Sequence, residues 1–432
     1  MQKTSWKVSK SAIVQFFLIF VLFMVHGNRV FNIFNDAILI LIIAFGGLFI
    51  LSNQKQVGIG NVIFLIILAV LLLVLFVITD GSMMITSILA LLTRYIIAFY
   101  AFYWDKTRFV ERFVKMTCFI AGVSIVGFVL TQLIPEQLQA ILPMHTYYRV
   151  SPWSGEKIPC YTYYFLIFQF RDGADITRNI GMFNEPGLYQ IILNTALYFL
   201  FFKREQCNLN KRRQHIYIVV LLIALITSQS LTGYIGFAII YFGYIFTARK
   251  NYRWKVLLIF AIAAFGIAFY VAQTGTNSWL YRNVLKKIFD EQGNFDLTRS
   301  TGSSRVISMD ADLKLFLENP LGHGTRYYDT VWRSYLRESI IDVSSCVGLT
   351  KSFAIYGFIP TLMMLGYYFK NKKSTKENAV DFWVCILLIL NTTLAQPSIF
   401  FPAFIVSVLA IKNTDYLSIV EKSQRKSLPT GE

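Results

Sequence analysis

Seven ionisable side chains stand where residue type and sequence context could support chemistry. They are of two kinds, cations that can bind an anion and groups that can take or orient a proton. Arginine suits phosphate because its planar guanidinium donates two parallel hydrogen bonds and keeps its charge. A carboxylate or an imidazole can act as a general base. The candidate cations are Arg94, Arg178, Arg305, Arg326 and Lys351, and the candidate bases are Glu185 and His323.

The first cluster is the stretch Arg178-Asn-Ile-Gly-Met-Phe-Asn-Glu-Pro-Gly187, directly before an apolar segment. Asn184 suits the N-cap of a helix, and Pro186 fits the first helical turn, where no amide donor is needed. Glu185 then lies at the positive end of the helix dipole. A capping carboxylate remains an alternative to a catalytic one. Nothing in a cap requires Arg178, so the arginine is the stronger sign of a site.

The second cluster lies in residues 301–326. Apolar residues at helical spacing predict an amphipathic helix over 304–318, which an Asn-Pro pair ends. Gly322-His323-Gly324 then forms a loop where backbone can approach a ligand closely. Arg305 lies in the first turn of the helix, where the dipole disfavours a cation by roughly 0.3–1 kcal/mol. Pairing with Asp310 or with a lipid headgroup would also explain this arginine.

The composition shows which elements must hold these residues. Of 432 residues, 55% are hydrophobic and 15% are charged, against about 25% charged in a soluble domain. Long uncharged runs recur at the length of a transmembrane helix, about 20 residues. A soluble enzyme, a disordered chain and a disulfide-stapled secreted domain are therefore excluded. The sequence predicts an all-α polytopic membrane protein of about twelve spans, at 11–27, 31–51, 59–79, 83–103, 111–133, 186–202, 214–230, 232–248, 254–273, 349–369, 380–395 and 397–411.

Two of the candidate cations lie within these predicted spans. Arg94 falls in the middle of the fourth span, where a charge is costly and by default marks a functional residue. It could bind a substrate anion or neutralise an internal carboxylate, and the sequence leaves both roles open. Lys351 lies at the start of the tenth span, where its long side chain could extend to the membrane surface.

The distribution of charge predicts the orientation of the spans. The net charge of +17 comes mainly from Lys and Arg in the N-terminus, the even-numbered loops and the C-terminus. The positive-inside rule therefore places both termini in the cytoplasm. This distribution also explains the basic excess without nucleic acid as a partner.

Two odd-numbered loops are long and divide the chain. The predicted organisation is 1–133 with spans 1–5, the external loop 134–185, 186–273 with spans 6–9, the external loop 274–348, and 349–432 with spans 10–12 and a cytoplasmic tail. We expect short amphipathic helices in both loops. Loops this long in a compact protein are usually functional, so we expect the chemistry on the outer side.

The motifs taken together resemble a known family. An Arg-x-x-Gly-x-Phe-x-Glu-Pro sequence precedes a span, and Ser-Ser-Arg, an amphipathic helix, Asn-Pro-Leu-Gly-x-Gly and a span containing Ile355-Tyr-Gly357 follow. This order resembles the O-antigen and capsule polymerases of the Wzy type, which share a superfamily with the O-antigen ligases. The ligases usually carry a histidine just before the span that follows the second loop. Residues 342–348 contain none, which favours a polymerase.

The resemblance implies a membrane glycosyltransferase on the outer face of a bacterial inner membrane. Such polymerases transfer a glycan from polyprenyl pyrophosphate onto the next lipid-linked repeat, and neither a metal nor a cofactor is expected. The expected pyrophosphate ligands are Arg178 and Arg305, followed by Arg326, Lys351 and Arg94, and the expected base is Glu185 or His323.

Two other activities remain open from the sequence. An O-antigen ligase would transfer finished glycan to the lipid A core. A flippase for lipid-linked oligosaccharides would also be basic and polytopic, although such transporters show internal repeats and several charges deep in the membrane. The expected partners are polyprenyl-pyrophosphate-linked oligosaccharides, membrane lipid and, as a candidate, a chain-length regulator.

Overall fold

The computed structural model describes residues 9–28, 35–150, 157–171, 178–247, 301–335, 345–369 and 376–412. The helices before the first long loop are α1 (Lys10–Gly27), α2 (Asn35–Ser52), α3 (Gln54–Val57), α4 (Ile59–Ile78), α5 (Ile85–Trp104) and α6 (Phe109–Leu133). A short helix, α7 (Pro135–Ile141), opens that loop. The helices after it are α8 (Pro186–Phe202), α9 (Arg204–Cys207), α10 (Lys211–Ser228), α11 (Leu231–Thr247), α12 (Thr301–Glu318), α13 (Thr325–Val331), α14 (Gly348–Tyr356), α15 (Phe358–Phe369), α16 (Lys376–Thr393) and α17 (Pro402–Lys412).

A helix overlaps each predicted span that the structure describes, although residues 397–401 of the predicted last span precede α17 and are not helical. Among the described residues, α1, α4, α5 and α6 are each long and apolar enough to cross a membrane. Most of the remaining predicted spans correspond to shorter apolar helices, such as α8 and α11. The predicted span at 254–273 lies outside the described residues. The chain is therefore a mostly helical, multi-pass membrane protein, while the number of twelve spans stays a prediction.

Two groups of helices assemble around α6. On one side α6 contacts α1, which packs against α5, and α5 packs against α2. On the other side α6 contacts α8 and α10, and α8 packs against α11 and α16. Phe113 of α6 lies edge-on to Phe23 of α1 at 5.2 Å and to Phe199 of α8 at 5.4 Å. Large buried rings in this geometry join the two groups into one core.

The surface of α4 shows which face of the protein meets lipid. Its Leu68 and Leu72 are fully buried, whereas Ile63, Ile67 and Val74 on the same helix are exposed. A continuous exposed stripe of large aliphatic side chains would promote aggregation in water. Contact with the hydrocarbon of a bilayer explains the stripe.

The first long loop departs from the expectation of helices alone. After α7 it forms a three-stranded antiparallel sheet in the order β1 (Met144–Val150), β2 (Lys157–Phe165) and β3 (Phe168–Arg171). The strands are rich in Tyr, Phe and Thr, which favour a pleated, half-buried surface. The sheet rests on α6, where Phe168 lies so close to Gly127 that a Cβ there would be 2.5 Å from its ring.

The predicted tenth span is not one helix but two, α14 and α15, broken at Gly357. This glycine has a φ of 75°, which other residues rarely adopt. The Asn-Pro-Leu-Gly-His-Gly loop inserts at the break, where the N–H groups of His323 and Gly324 donate to the carbonyls of Ala354 and Ile355, each at 3.0 Å. Non-helical backbone at membrane depth needs such partners. This motif therefore supplies hydrogen-bond donors to the carbonyls that the break leaves without helical partners.

Candidate active site

A cavity of about 600 Å³ lies where several helix ends meet. Its walls come from the end of α1, the first half of α5, the starts of α8 and α14, the short helix α13 and residues 397–401. The charged residues that line it are Arg94, Glu185, Asp329 and Lys351. Three of these are predicted site residues from segments far apart in the chain. The fourth, Asp329, was not predicted.

Arg94 is held by residues that follow α16. Its Nη1 donates to the Oγ of Ser398 at 3.0 Å, and the guanidinium carbon lies 5.0 Å from the ring centre of Phe400. The ion pairs of the described chain do not include Arg94. Because a guanidinium carries five N–H donors, one hydroxyl and one aromatic face leave donors and charge for a substrate anion.

Glu185, rather than the predicted Asn184, is the N-cap residue of α8. Asn184 instead donates its backbone N–H to the carbonyl of Gly27 at 2.9 Å. Pro186 occupies the first turn, as predicted. The Glu185 side chain forms no capping hydrogen bond and lines the cavity. The carboxylate is therefore placed at the positive end of a helix without being used as its cap.

The buried motif before α8 explains how Glu185 is positioned. The Asn179 side chain donates to the Oγ of Ser124 and the Oγ1 of Thr227, each at 3.1 Å. Gly181 adopts a φ of 58°, and a Cβ there would lie 3.0 Å from the ring of Tyr189. The asparagine and the glycine of the motif thus tie this segment to α6, α8 and α10.

Lys351 places a second cation at the cavity. Its Nζ lies 5.5 Å from the ring centre of Tyr328, within the distance at which a cation is attracted to an aromatic face. Asp329, the residue after Tyr328, lines the same cavity. The aromatic ring therefore fixes the lysine beside a carboxylate.

Tyr328 is itself held by a buried aspartate that sequence reasoning missed. Asp312 of α12 is 0% exposed and accepts hydrogen bonds from the hydroxyls of Tyr328 at 2.6 Å, Thr350 at 2.7 Å and Ser345 at 2.8 Å. Burial raises the pKa of Asp312, and the three hydroxyl donors oppose that rise. Asp312 lies on the buried face of α12 with Ser308 and Leu315, whereas Val306 and Leu313, two of the apolar residues whose spacing predicted the helix, are exposed. Apolar periodicity therefore gave no signal for this aspartate.

His323 and Arg326 do not line the cavity. The Nε2 of His323 is 2.8 Å from the carbonyl oxygen of Leu315, and its ring stacks on Tyr327 at 4.7 Å. Arg326 has an exposed side chain, and its backbone N–H donates to the carbonyl of Ser82 at 2.8 Å. Both residues belong to the connection between the broken tenth span and α5.

Arg178 and Arg305 also lie outside the cavity lining. Arg178 donates to the carbonyls of Ser228 at 3.4 Å and Gln229 at 3.2 Å, at the turn between α10 and α11. Arg305 is half-buried in the second turn of α12 rather than at its first residues, since α12 begins at Thr301. Their roles as phosphate ligands stay predictions.

The cavity has the groups to bind an anion and to orient a hydroxyl. Arg94 and Lys351 supply positive charge, and Glu185 and Asp329 supply carboxylate acceptors. Within the described ranges, no group of three His, Cys, Asp or Glu side chains is arranged to hold a metal ion. The four charged side chains are the groups that the cavity offers to a substrate.

Comparison with known proteins bears on the motifs of the second long loop. Residues 216–346 match the family described as O-antigen ligase. The matched region covers less than a third of the chain and contains the predicted site residues Arg305, His323 and Arg326. No curated protein matches the sequence. Over these residues the chain is similar to that family, which supports the predicted resemblance to the O-antigen ligase and polymerase superfamily.

Proposed function

We propose that this protein is a membrane glycosyltransferase that polymerises polyprenyl-pyrophosphate-linked oligosaccharide repeats into O-antigen or capsular polysaccharide. The observation that carries the proposal is the cavity that Arg94 and Lys351 share with Glu185 and Asp329. A substrate of this class has an anionic pyrophosphate and a free sugar hydroxyl. These are the two groups that cations and carboxylates in one cavity can bind.

In the proposed reaction, the hydroxyl of one lipid-linked repeat attacks the anomeric carbon of the growing chain. The bond from that carbon to the pyrophosphate breaks, and its electron pair stays on the leaving oxygen. Arg94 and Lys351 stabilise the charge that develops there. Glu185 orients the attacking hydroxyl, whose proton passes to a base in the cavity. The energy is stored in the activated donor, and a one-step displacement of this kind inverts the anomeric configuration.

The other predicted pyrophosphate ligands lie away from the proposed reaction centre. Arg178, Arg305 and Arg326 lie outside the cavity lining, and we keep them as proposed contacts to parts of the substrate beyond the reacting atoms. His323 is less suited to be the base because it lies outside the cavity lining and its ring stacks on Tyr327. Arg94 and Lys351 are therefore the first pyrophosphate ligands to test.

An apolar groove beside the cavity suits a polyprenyl chain. The groove has a volume of about 560 Å³ and is lined by side chains of α1, α2 and α5. The same helices continue into the cavity: Met24 and Ile97 line the groove, and His26 and Arg94 line the cavity. A lipid tail in the groove would bring its pyrophosphate to Arg94.

The position of the cavity supports transfer on the outer face of a bacterial inner membrane. By the predicted orientation, with both termini in the cytoplasm, α1 ends at the outer side and α5, α8 and α14 begin there. These are the helix ends that line the cavity. A chain-length regulator, if it binds, would meet the growing glycan on that side.

The second candidate function is an O-antigen ligase, because the matched family carries that description. Both reactions use the same donor and leaving group and differ only in the acceptor. The stretch 342–348 lacks the histidine that the ligases usually carry there, which favours the polymerase. The family match does not favour a flippase.

Deletion of the gene, followed by complementation and gel analysis of the surface glycan, tests the proposal. For a polymerase we expect a single repeat on the lipid core and no ladder, with the ladder restored by the intact chain. Complete loss of repeats from the core would indicate the ligase instead. An unchanged ladder and unchanged capsule would contradict the proposed function.

A further inference from the structure

His26 is a cavity residue that neither the motifs nor the proposed reaction has used. It lies in the last turn of α1, its side chain is 3% exposed, and it lines the cavity with Arg94 and Glu185. Its Nε2 is 3.2 Å from the carbonyl oxygen of Leu188. Its Nδ1 is buried and has no hydrogen-bond partner among the described residues. A buried ring nitrogen without a partner calls for an explanation.

The contact with Leu188 decides which nitrogen carries the hydrogen. A carbonyl oxygen can only accept, so the Nε2 of His26 must be the donor. A charged ring would also place an N–H at the buried Nδ1, where no acceptor is available, and burying an unpaired charged donor is costly. The ring is therefore neutral, and Nδ1 presents a lone pair.

The ring is held in this position by contacts on several sides. The backbone N–H of Asn184 donates to the carbonyl of Gly27 at 2.9 Å, next to the histidine. The ring centre lies 5.7 Å from that of Phe183, edge to face, and 4.9 Å from that of Phe401. The end of α1 and the Glu185 motif are thus one unit, and the imidazole cannot turn without breaking its bond to Leu188.

We propose that the Nδ1 of His26 is the general base that takes the proton of the acceptor hydroxyl, an assignment that rests on the proposed glycosyl transfer. The hydroxyl oxygen bonds to the anomeric carbon, the carbon–pyrophosphate bond breaks onto the leaving oxygen, and the proton moves to Nδ1. The imidazolium that forms shares the cavity with Glu185 and the anionic pyrophosphate. It returns its proton to the departing pyrophosphate or to water, and the neutral ring is restored.

His26 then takes the proton of the hydroxyl, and Glu185 orients the hydroxyl. The carboxylate of Glu185, which lines the same cavity, offsets the positive charge that His26 acquires, as a carboxylate does for a catalytic histidine in general. Arg94 lies on the same cavity and disfavours that charge until the pyrophosphate is present. The base is therefore neutral before the substrate binds and becomes a better proton acceptor when the anion arrives.

The test is the His26→Gln variant of the full-length protein, purified and assayed with lipid-linked repeats. A glutamine amide nitrogen can occupy the place of Nε2 and still donate to Leu188, but the side chain has no basic nitrogen. We expect kcat to fall by about 100-fold or more, because general bases contribute roughly 10²–10⁴-fold, with KM changed by less than about threefold. The exposed His215, whose Nδ1 bonds to its own helix at Lys211, provides the control: His215→Gln should keep the wild-type kcat.

A turnover of His26→Gln within about threefold of wild type would overturn the assignment, because the variant keeps the structural bond and lacks the base. If His26→Gln melts well below wild type, His26→Ala assayed with added imidazole gives the second test. Recovery of turnover that increases with the basicity of the added amine supports the base, and no recovery overturns it.

The same assays separate this assignment from the proposed function. The acceptor that wild-type protein uses, a lipid-linked repeat or the lipid core, decides between polymerase and ligase. The ratio of His26→Gln to wild type is then measured with that acceptor. An active wild type with an equally active variant overturns only the role of His26.

Discussion

Arg94 is a charged residue within a membrane helix, and the cost of burying its guanidinium must be offset. A charge in the middle of a membrane helix is costly unless it is paired or used. Ser398 and the ring of Phe400 orient the guanidinium, and its charge is left for the cavity. In the proposed reaction this arginine is a permanent anion receptor, since its guanidinium keeps the proton.

Replacing Arg94 by alanine should lower polymer formation by about 10- to 100-fold, because a hydrogen bond to a charged group contributes about 1.5–3 kcal/mol. Arg94→Lys should recover only part of the activity, since a point charge lacks the fork. Ladder length in the complemented deletion strain, at matched protein level, measures the effect. The control is Lys314→Ala, an exposed lysine paired with Asp310 outside the cavity. Full-length ladders from Arg94→Ala would show that this arginine does not bind the leaving group.

We expect the buried carboxylate of Asp312 to stabilise the fold. Asp312→Ala would leave the buried hydroxyls of Tyr328 and Ser345 without their acceptor, at about 1–3 kcal/mol for each unpaired group. The hydroxyl of Thr350 would keep the carbonyl of Val347 at 3.3 Å. We expect a clear drop in melting temperature in detergent, together with weakened activity as Tyr328 loses its anchor beneath Lys351. The matched control is Asp310→Ala on the same helix. Its ion pair is solvent-exposed and should contribute no more than about 1 kcal/mol, so equal losses in the two variants would refute the role of Asp312.

At the scale of elements, one loop connects the broken tenth span to α5. A Cβ at Gly322 would lie 2.6 Å from the backbone nitrogen of Gly357, and one at Gly324 would lie 2.4 Å from that of Met83. The hydroxyl of Thr325 accepts from the N–H of Met84 at 3.2 Å. The glycines of the motif are therefore required by backbone-to-backbone contact. They bring Asp329 and Lys351 to the cavity that Glu185 also lines.

The break at Gly357 should be sensitive to a single methyl group. Gly357→Ala would strain a φ of 75° and place a Cβ 2.2 Å from the carbonyl oxygen of Leu321. We expect a loss of roughly 1–3 kcal/mol or more, with displacement of the loop and loss of polymer. Gly366→Ala in α15 is the control, because a Cβ there meets nothing within 4 Å. Thermal melting and ladder formation measure both, and indistinguishable variants would argue against the break as an organising feature.

The whole molecule brings polar residues together at one end of an apolar bundle. Arg94, Glu185 and Lys351 come from three segments widely separated in sequence, and helix packing places them around one cavity. The apolar groove between α1, α2 and α5 opens from the same region. This arrangement fits a substrate with a lipid tail, an anionic linkage and a polar glycan.

The orientation predicted from charge can be tested by cysteine labelling in intact cells. A cysteine at Tyr148, which is 67% exposed in β1, should react with a membrane-impermeant maleimide from the outer side. A cysteine at Lys211, exposed at the start of α10, should react only after permeabilisation. Cys160→Ser provides the background, since Cys160 lies in the same sheet. The reverse labelling pattern would invert the predicted topology and place the cavity on the cytoplasmic side.

Some features of the site follow from local signals in the amino-acid sequence. The Asn-x-Gly and Glu-Pro residues of the first motif, the helix at 304–318 and the glycine loop after it all carry such conformational signals. Residues without them are not recognisable in this way: Asp312 has the pattern of an ordinary helix aspartate, and His26 that of a packed histidine at a helix end. Their roles depend on hydroxyls and carbonyls that other segments supply.

The sequence by itself determined the membrane class, the places of most helices and the resemblance to the O-antigen ligase superfamily, because hydropathy, charge bias and short motifs act within single segments. Only the tertiary structure decided that Arg94, Glu185 and Lys351 meet, that His323 belongs to the loop at the break, and that the tenth span is split. These outcomes depend on which helix faces pack together, a long-range choice among apolar surfaces that residue periodicity does not encode.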